Sequence, residues 1–106
     1  MGFFDFMKQP DINQGISEYS AERGAVLLDV RTSEEYSQGH IPGSINIPLQ
    51  SIEQVSGTIK DKATSIYVHC LSGARSRQAA AILQHMGYTH VKNIGGISAY
   101  AGKVER

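Results

Sequence analysis

Ile66-Tyr-Val-His-Cys-Leu-Ser-Gly-Ala-Arg-Ser-Arg77 is the stretch from which the rest of the chain can be read. Its first four residues, Ile66 to His69, have the apolar, β-branched and aromatic character of a strand. From Ser76 to Met86 the residues Ala79, Ile82, Leu83 and Met86 recur at i, i+3, i+4 and i+7. That spacing predicts an amphipathic helix, with Gly87 placed to cap its C-terminus. A short loop joins strand to helix, opening at Cys70 and holding Gly73. Ligands of open α/β sheets bind outside the carboxyl ends of the strands, which is where this loop lies.

Outward from this unit the pattern repeats. Ile12, Ile16 and Tyr19 suit a short helix ending near Gly24. Ala25-Val-Leu-Leu28, running into Asp29, reads as a strand buried on both faces. Thr32-Ser-Glu-Glu35 has the S/T-x-x-E form of a capping box, so a helical turn begins there. In Gly39-His-Ile-Pro-Gly43, Pro42 and Gly43 fit the two central positions of a turn. Ile45-Asn-Ile47 is a short strand stopped by Pro48, and Leu49, Ile52 and Val55 lie at helical spacing. Val91 to Ile94 gives a last strand, after which Gly95-Gly96 is expected to turn into a short final helix through Tyr100. Strands alternating with helices predict an α/β fold with an open, mostly parallel sheet.

With 106 residues, the chain is expected to form a single domain spanning residues 1–106. Apolar residues at 41% and charged residues at 19% mark a globular composition. Ten Lys plus Arg balance ten Asp plus Glu, which argues against nucleic acid or another polyanion as a partner. The balance hides a segregation. Residues 1–61 hold nine acids and four bases, whereas residues 62–106 hold six bases and one acid. The second half contains the whole Cys70 loop, so a locally positive end is expected, with turnover of an anionic substrate weakening as salt rises.

Cys70 is the one cysteine, which excludes an intramolecular disulfide and a Cys-x-x-Cys redox pair. His40, His69, His85 and His90 lack close ligand spacing, so no metal site is expected. The apolar start, Phe3, Phe4 and Phe6 around Asp5, lacks the charge pattern of a signal peptide, and no run is long enough to span a membrane. Residues 1–8 are read as a frayed segment or one packed on the domain, and the compartment as reducing and cytoplasmic.

The placement of Cys70 gives it chemistry. A loop that ends a strand and opens a helix can curl so that successive N–H groups converge, forming an anion-binding nest beside the positive end of the helix. Gly73 permits the backbone such a curl needs. A thiol over that nest ionises readily, since helix N-termini and nearby cations lower a cysteine pKa from about 8.5 to roughly 3.5–7.5. Ser72 and Ser76 can donate to the loop or cap the helix. Arg75 can orient an anionic substrate or pair with a carboxylate. Arg77 can assist at the mouth or stay solvated.

At this point the chain resembles the rhodanese family of sulfurtransferases. Leu27-Leu-Asp-Val-Arg31 with Glu35-Tyr36 is similar to the family's first signature. Gly39-His-Ile-Pro-Gly43, running into Ser44-Ile-Asn-Ile-Pro48, is similar to its second. Cys70-Leu-Ser-Gly-Ala-Arg-Ser76 resembles the Cys-x-x-Gly-x-Arg-Ser active-site loop, and Asn93-Ile-Gly-Gly-Ile97 the glycine pair near the family's C-terminus. Tyr100 stands where many members have Trp. The resemblance implies a five-stranded parallel sheet flanked by helices, with no metal or organic cofactor. It implies thiosulfate or a related sulfane donor, a persulfide on Cys70, and a thiol, protein thiol or cyanide acceptor. Leu71, Ser72, Gly73, Ala74, Arg75 and Ser76 would hold that persulfide. Asp29 and Arg31 are read as scaffold, His40 as fixing its turn, and His69 as a strand residue rather than a base.

Two other functions stay open. Rhodanese-like domains also serve as binding, relay or sensing modules. Protein tyrosine phosphatases use Cys-x5-Arg around a phosphate, whereas Cys70 and Arg75 form Cys-x4-Arg, a smaller ring suited to a single sulfur.

Overall fold

The computed structural model describes residues 10–106 of the chain. The elements run α1 (Ile12–Ala21), β1 (Val26–Asp29), α2 (Ser33–Gln38), β2 (Ser44–Asn46), a 3-10 segment (Leu49–Gln54), α3 (Val55–Thr58), β3 (Ser65–Cys70), α4 (Ala74–His85), β4 (His90–Gly96) and a last 3-10 turn (Ile97–Ala99). The sheet is parallel throughout, in the order β2-β1-β3-β4. It has four strands among the described residues rather than the five expected, and the apolar stretch Phe3 to Phe6 lies outside them.

Local signals set most boundaries. Asp11 caps α1 by accepting from the N–H groups of Asn13 and Gln14. Thr32 and Glu35 form the full capping box of α2. The Ser44 N–H reaches Ile41 O at 3.1 Å across Pro42-Gly43, and Gly43 takes φ +88°, as the second central residue of such a turn requires. At the end of α4, Gly87 adopts φ +105° while the Tyr88 and Gly87 N–H groups bond Leu83 O and Gln84 O. This is a Schellman closure.

Alternation along the strands divides the interior into two cores. Leu28, Val68, Cys70, Ala79 and Leu83 pack together on the side covered by α4 and the 3-10 segment. Ile12, Leu27, Tyr67 and Ile94 pack on the side covered by α1. The buried stripe of α4 is Ser76, Ala79, Ala80 and Leu83, while Ile82, expected to face inward, is 40% exposed. The helix is thus rotated toward its small residues, which brings its backbone close to the sheet. Gly95 and Gly96 also depart from expectation: they lie inside β4, beyond a register shift between Val68 and His69, rather than in a turn.

The topology locates the site. After β1 the chain leads to β2 on one side of the sheet, and after β3 it leads to β4 on the other. The carboxyl ends of neighbouring β1 and β3 therefore form the switch point of the sheet, where the two following connections part and leave a crevice. Asp29 and His69 are register partners there, Asp29 closing β1 before Val30-Arg31 and His69 lying one residue short of the end of β3 at Cys70.

Gly15 sets the approach of α1. A Cβ at this position would lie deep inside contact distance of Ile94 Cβ and Cγ2. Gly15→Ala should destabilise the fold by about 1–3 kcal/mol, the usual cost of overpacking, despite the better helix propensity of Ala. Urea unfolding monitored by circular dichroism measures it.

Candidate active site

Gly73 stands at the N-cap position just before α4, its φ of +105° is left-handed, and no side chain among the described residues caps the helix. The Gly73 N–H instead points at Cys70 Sγ, 3.0 Å away. The sulfur thereby takes the position of a helix cap. Burial of Cys70 pushes its thiol pKa up. The Ser76 hydroxyl and the N–H groups of Ser76, Gly73 and Ser72 push it down and prevail, so the thiol ionises below its ordinary range. Ser76 is fully buried, and its hydroxyl reaches Asn93 Oδ1 at 2.6 Å. It carries a single proton, which Asn93 takes by geometry; an ionised sulfur nearby gives that proton a second acceptor.

The loop is seated by backbone on backbone. A Cβ on Gly96 would collide with Leu71 O and Ser72 Cα, so only glycine lets the loop lie against β4. Ser98 N–H then bonds Leu71 O at 3.1 Å. Asn93 Oδ1 also accepts the Gly95 N–H at 3.0 Å, fixing the bulge beneath the loop. Cys70 itself is 1% exposed, whereas Leu71 is 45% exposed. Ser72 and Ala74 are exposed too, and Arg77 extends from α4 into solvent.

Arg75 takes the second of the roles open to it. Its Nη1 and Nη2 donate to Glu35 Oε1 and Oε2 at 2.7 and 3.0 Å. The Arg75 hydrogen bonds outweigh partial burial and, with those from Thr32, hold the Glu35 carboxyl down at about 2. The acid-poor second half of the sequence therefore has carboxylates brought to it in space. Glu35 pairs with Arg75 and Glu18 with Lys92, each pair joining the two halves of the chain. The positive end expected from the sequence is compensated at the loop itself.

Under the neighbouring strand end, Arg31 lies along Asp29, with Nε and Nη2 donating to the carboxylate at 2.8–3.0 Å and its own N–H adding a bond at 2.9 Å. Arg31 Nη2 also reaches Gly39 O at 2.7 Å. Burial works to raise the Asp29 pKa, but the His69 ring and Arg31 together bring it to about 2. Arg31 is the stronger partner by geometry, since His69 Nε2 only approaches Asp29 Oδ2 at 3.4 Å and neither ring nitrogen has a hydrogen-bond partner among the described residues. The His69 ring lies with Asp29 on the opposite face of the sheet from Cys70, so it cannot take the thiol proton. His40 donates from Nδ1 to Tyr36 O at 2.8 Å and stacks on the Tyr36 ring, tying the turn to α2.

Beside the loop runs a cleft of about 280 Å³ lined by Arg31, Glu35, Gln38, Gly39, Leu71 and Val104. Val104 belongs to a C-terminal strap that pairs with His40 through two backbone bonds of 2.8 Å, His40 N–H to Glu105 O and Glu105 N–H to His40 O.

The profile of the family described as Rhodanese-like domain matches residues 13–103. The chain belongs to this family. It is similar to Thiosulfate sulfurtransferase PspE of Escherichia coli, with 45% identity over 70% of this chain and 72% of that protein. It is also 36% identical to Adenylyltransferase and sulfurtransferase uba4 of Ogataea parapolymorpha, over 92% of this chain but only 25% of that larger protein. Among solved structures, a rhodanese with anions from E. coli superposes with a TM-score of 0.72 at 41% identity, over 77% of this chain and 98% of that one. Within this rhodanese-like chain, sequence reasoning found the loop but missed Asn93 as the support of Ser76, Gly96 as the floor of the loop, and the cleft formed with the strap.

Two outcomes test this geometry. Ser76→Ala should raise the Cys70 pKa, moving the pH profile of iodoacetamide alkylation to higher pH. Asp29→Asn should cost about 3–5 kcal/mol in urea unfolding, because it leaves Arg31 buried and unpaired. The Asp29 carboxyl titrates lower in the fold than its ordinary 3.8, so its stabilising contribution is present above that value and lost as pH falls toward about 2. That acid-labile part should be missing from the variant.

Proposed function

We propose that the protein is a sulfurtransferase that carries sulfur on Cys70. The observation that carries this reading is the Gly73 N–H at 3.0 Å from Cys70 Sγ, at the start of a helix without a side-chain cap. The Cys70 thiolate attacks the outer sulfur of thiosulfate, the S–S bond breaks with its electron pair on the leaving group, and sulfite departs. The sulfur left on Cys70 is a persulfide whose terminal negative charge sits among the N–H groups of residues 71–76, a fixed set of donors aimed at developing charge. A thiophilic acceptor, either cyanide, a thiol or a protein thiol, then takes that outer sulfur and returns the thiolate. The chain has one cysteine, so the sulfur leaves to an acceptor outside it. A thiol that must stay reduced between turnovers favours a reducing compartment such as the cytoplasm.

Relay to a protein thiol is the reading favoured by the exposed apolar side chains of Leu71 and Val104 next to the loop. It shares the first half-reaction. Intact-protein mass spectrometry should show the gain of one sulfur atom after thiosulfate and its loss after cyanide. Cys70→Ser should gain none. A wild-type protein that gains no sulfur from any sulfane donor would overturn the sulfurtransferase reading, and hydrolysis of a phosphotyrosine mimic that depends on Cys70 would replace it with a phosphatase.

A further inference from the structure

Beyond β4 the strap is held in two unequal parts. The inner part is gripped. Asn13, in the first turn of α1, donates from Nδ2 to Ala99 O at 3.0 Å and accepts the Ala101 N–H on Oδ1 at 2.9 Å. The chain then passes the Tyr100 ring so closely that a Cβ on Gly102 would collide with it, and the Tyr100 hydroxyl donates to Lys103 O at 3.2 Å. The outer part, residues 104–106, is held more weakly. All three residues are exposed, Val104 to 51%. Among the described residues its hydrogen bonds are the two backbone bonds between Glu105 and His40. A Val104 methyl lies over Gly39, 3.4 Å from where a Cβ would stand. The Glu105 carboxylate is 3.9 Å from His40 Nε2, too far for a hydrogen bond. An exposed backbone bond shifts an equilibrium by about tenfold, so this end can let go while the inner part stays fixed.

Its position gives that release a consequence. Val104 and Leu71 line the same cleft beside the Cys70 loop. Cys70 is 1% exposed, so a bulky acceptor needs room next to the loop that Val104 now fills. The filling is peptide in form: one residue paired antiparallel with His40 and an apolar side chain set over Gly39. With residues 104–106 lifted away, His40 is left with an outward N–H and C=O, the edge that an added extended segment uses. Residues 104–106 also lie past the residues 13–103 that the family profile matches, so they stand outside the shared pattern.

We propose that residues 104–106 are a releasable latch that occupies, within the chain, the docking place of an extended, thiol-bearing segment of a protein acceptor. Seated, the latch limits discharge of Cys70 to small acceptors. Released, it admits the segment, which pairs with His40 and sets an apolar side chain against Gly39 and Leu71. This rests on Cys70 being the sulfur carrier. In the transfer the acceptor thiolate R–S⁻ attacks the outer sulfur of Cys70–S–S⁻. The new S–S bond forms as the old one breaks, giving R–S–S⁻ and the Cys70 thiolate, and no oxidant or reductant is needed.

The probes are cyanide and two acetylated synthetic peptides. Cys-Val-Glu-Arg copies residues 104–106 behind a cysteine, and Cys-Val-Pro-Arg lacks the pairing N–H. The full chain is loaded with thiosulfate, and loss of the added sulfur is followed by intact mass. Glu105→Pro removes the N–H that bonds His40 O, and Val104→Gly removes the methyl over Gly39. Each should speed discharge to Cys-Val-Glu-Arg relative to cyanide by about tenfold, the worth of one backbone hydrogen bond. Cys-Val-Pro-Arg should gain far less. Arg106→Ala, also at an exposed position, should keep the wild-type ratio. A ratio unmoved by both Glu105→Pro and Val104→Gly, or an equal gain for the two peptides, overturns the latch and leaves Cys70 as carrier. If no sulfane donor loads Cys70, the carrier role falls, and the latch is read from alkylation instead. The two variants should then react faster with fluorescein maleimide relative to iodoacetamide, and an unchanged ratio overturns the latch as well.

Discussion

A helix that starts without a cap has N–H groups in need of an acceptor, and in α4 that acceptor is the sulfur of Cys70. The other features of the site serve this one arrangement. Gly73 turns the backbone so that its N–H faces back toward the strand end. Gly96 removes the side chain that would lift the loop off the sheet, and Asn93 holds both the Gly95 bulge and the Ser76 hydroxyl underneath. The small residues on the inner stripe of α4 let its first turn descend to where Cys70 emerges from β3. Fold and thiol chemistry meet in the same few backbone donors, because the donors left over from helix formation are the ones that stabilise negative sulfur.

The charges around the loop follow a different logic. Two guanidinium groups stand at the switch point, and each is tied to a carboxylate that also shapes the backbone. Asp29 receives the Arg31 N–H as well as its side chain, and Glu35 caps α2 while holding Arg75. The positive potential at Cys70 therefore comes chiefly from fixed peptide dipoles rather than from mobile cationic side chains. Dipoles of this kind act at short range, on an atom inside the loop, and do little for charge farther out.

Much of this was legible in the sequence because it depends on local rules. The β1 and β3 strands were visible as apolar runs, α2 as its capping box, and the Ile41–Ser44 turn as Pro42-Gly43. The loop stood out because Cys70, Gly73 and Arg75 fall between a strand and a helix. What escaped depends on partners distant in sequence. Glu35 and Arg75 are forty residues apart, and nothing in either segment announces their pairing. The glycines at 95 and 96 look like a turn until a register shift in β4 and a loop from elsewhere in the chain are seen to need their space. Ile82 faces outward against the sequence expectation because periodicity gives the spacing of a stripe but not its rotation, which the contact with the sheet decides.

The near-complete burial of Cys70 has a bearing on lifetime. A sulfur atom parked on this residue would sit inside a ring of peptide groups, next to a cysteine that is itself 1% exposed. Bulky oxidants and most of the surrounding thiol pool would be kept at a distance, so the store would discharge to partners shaped to reach it rather than leak to whatever collides with the surface.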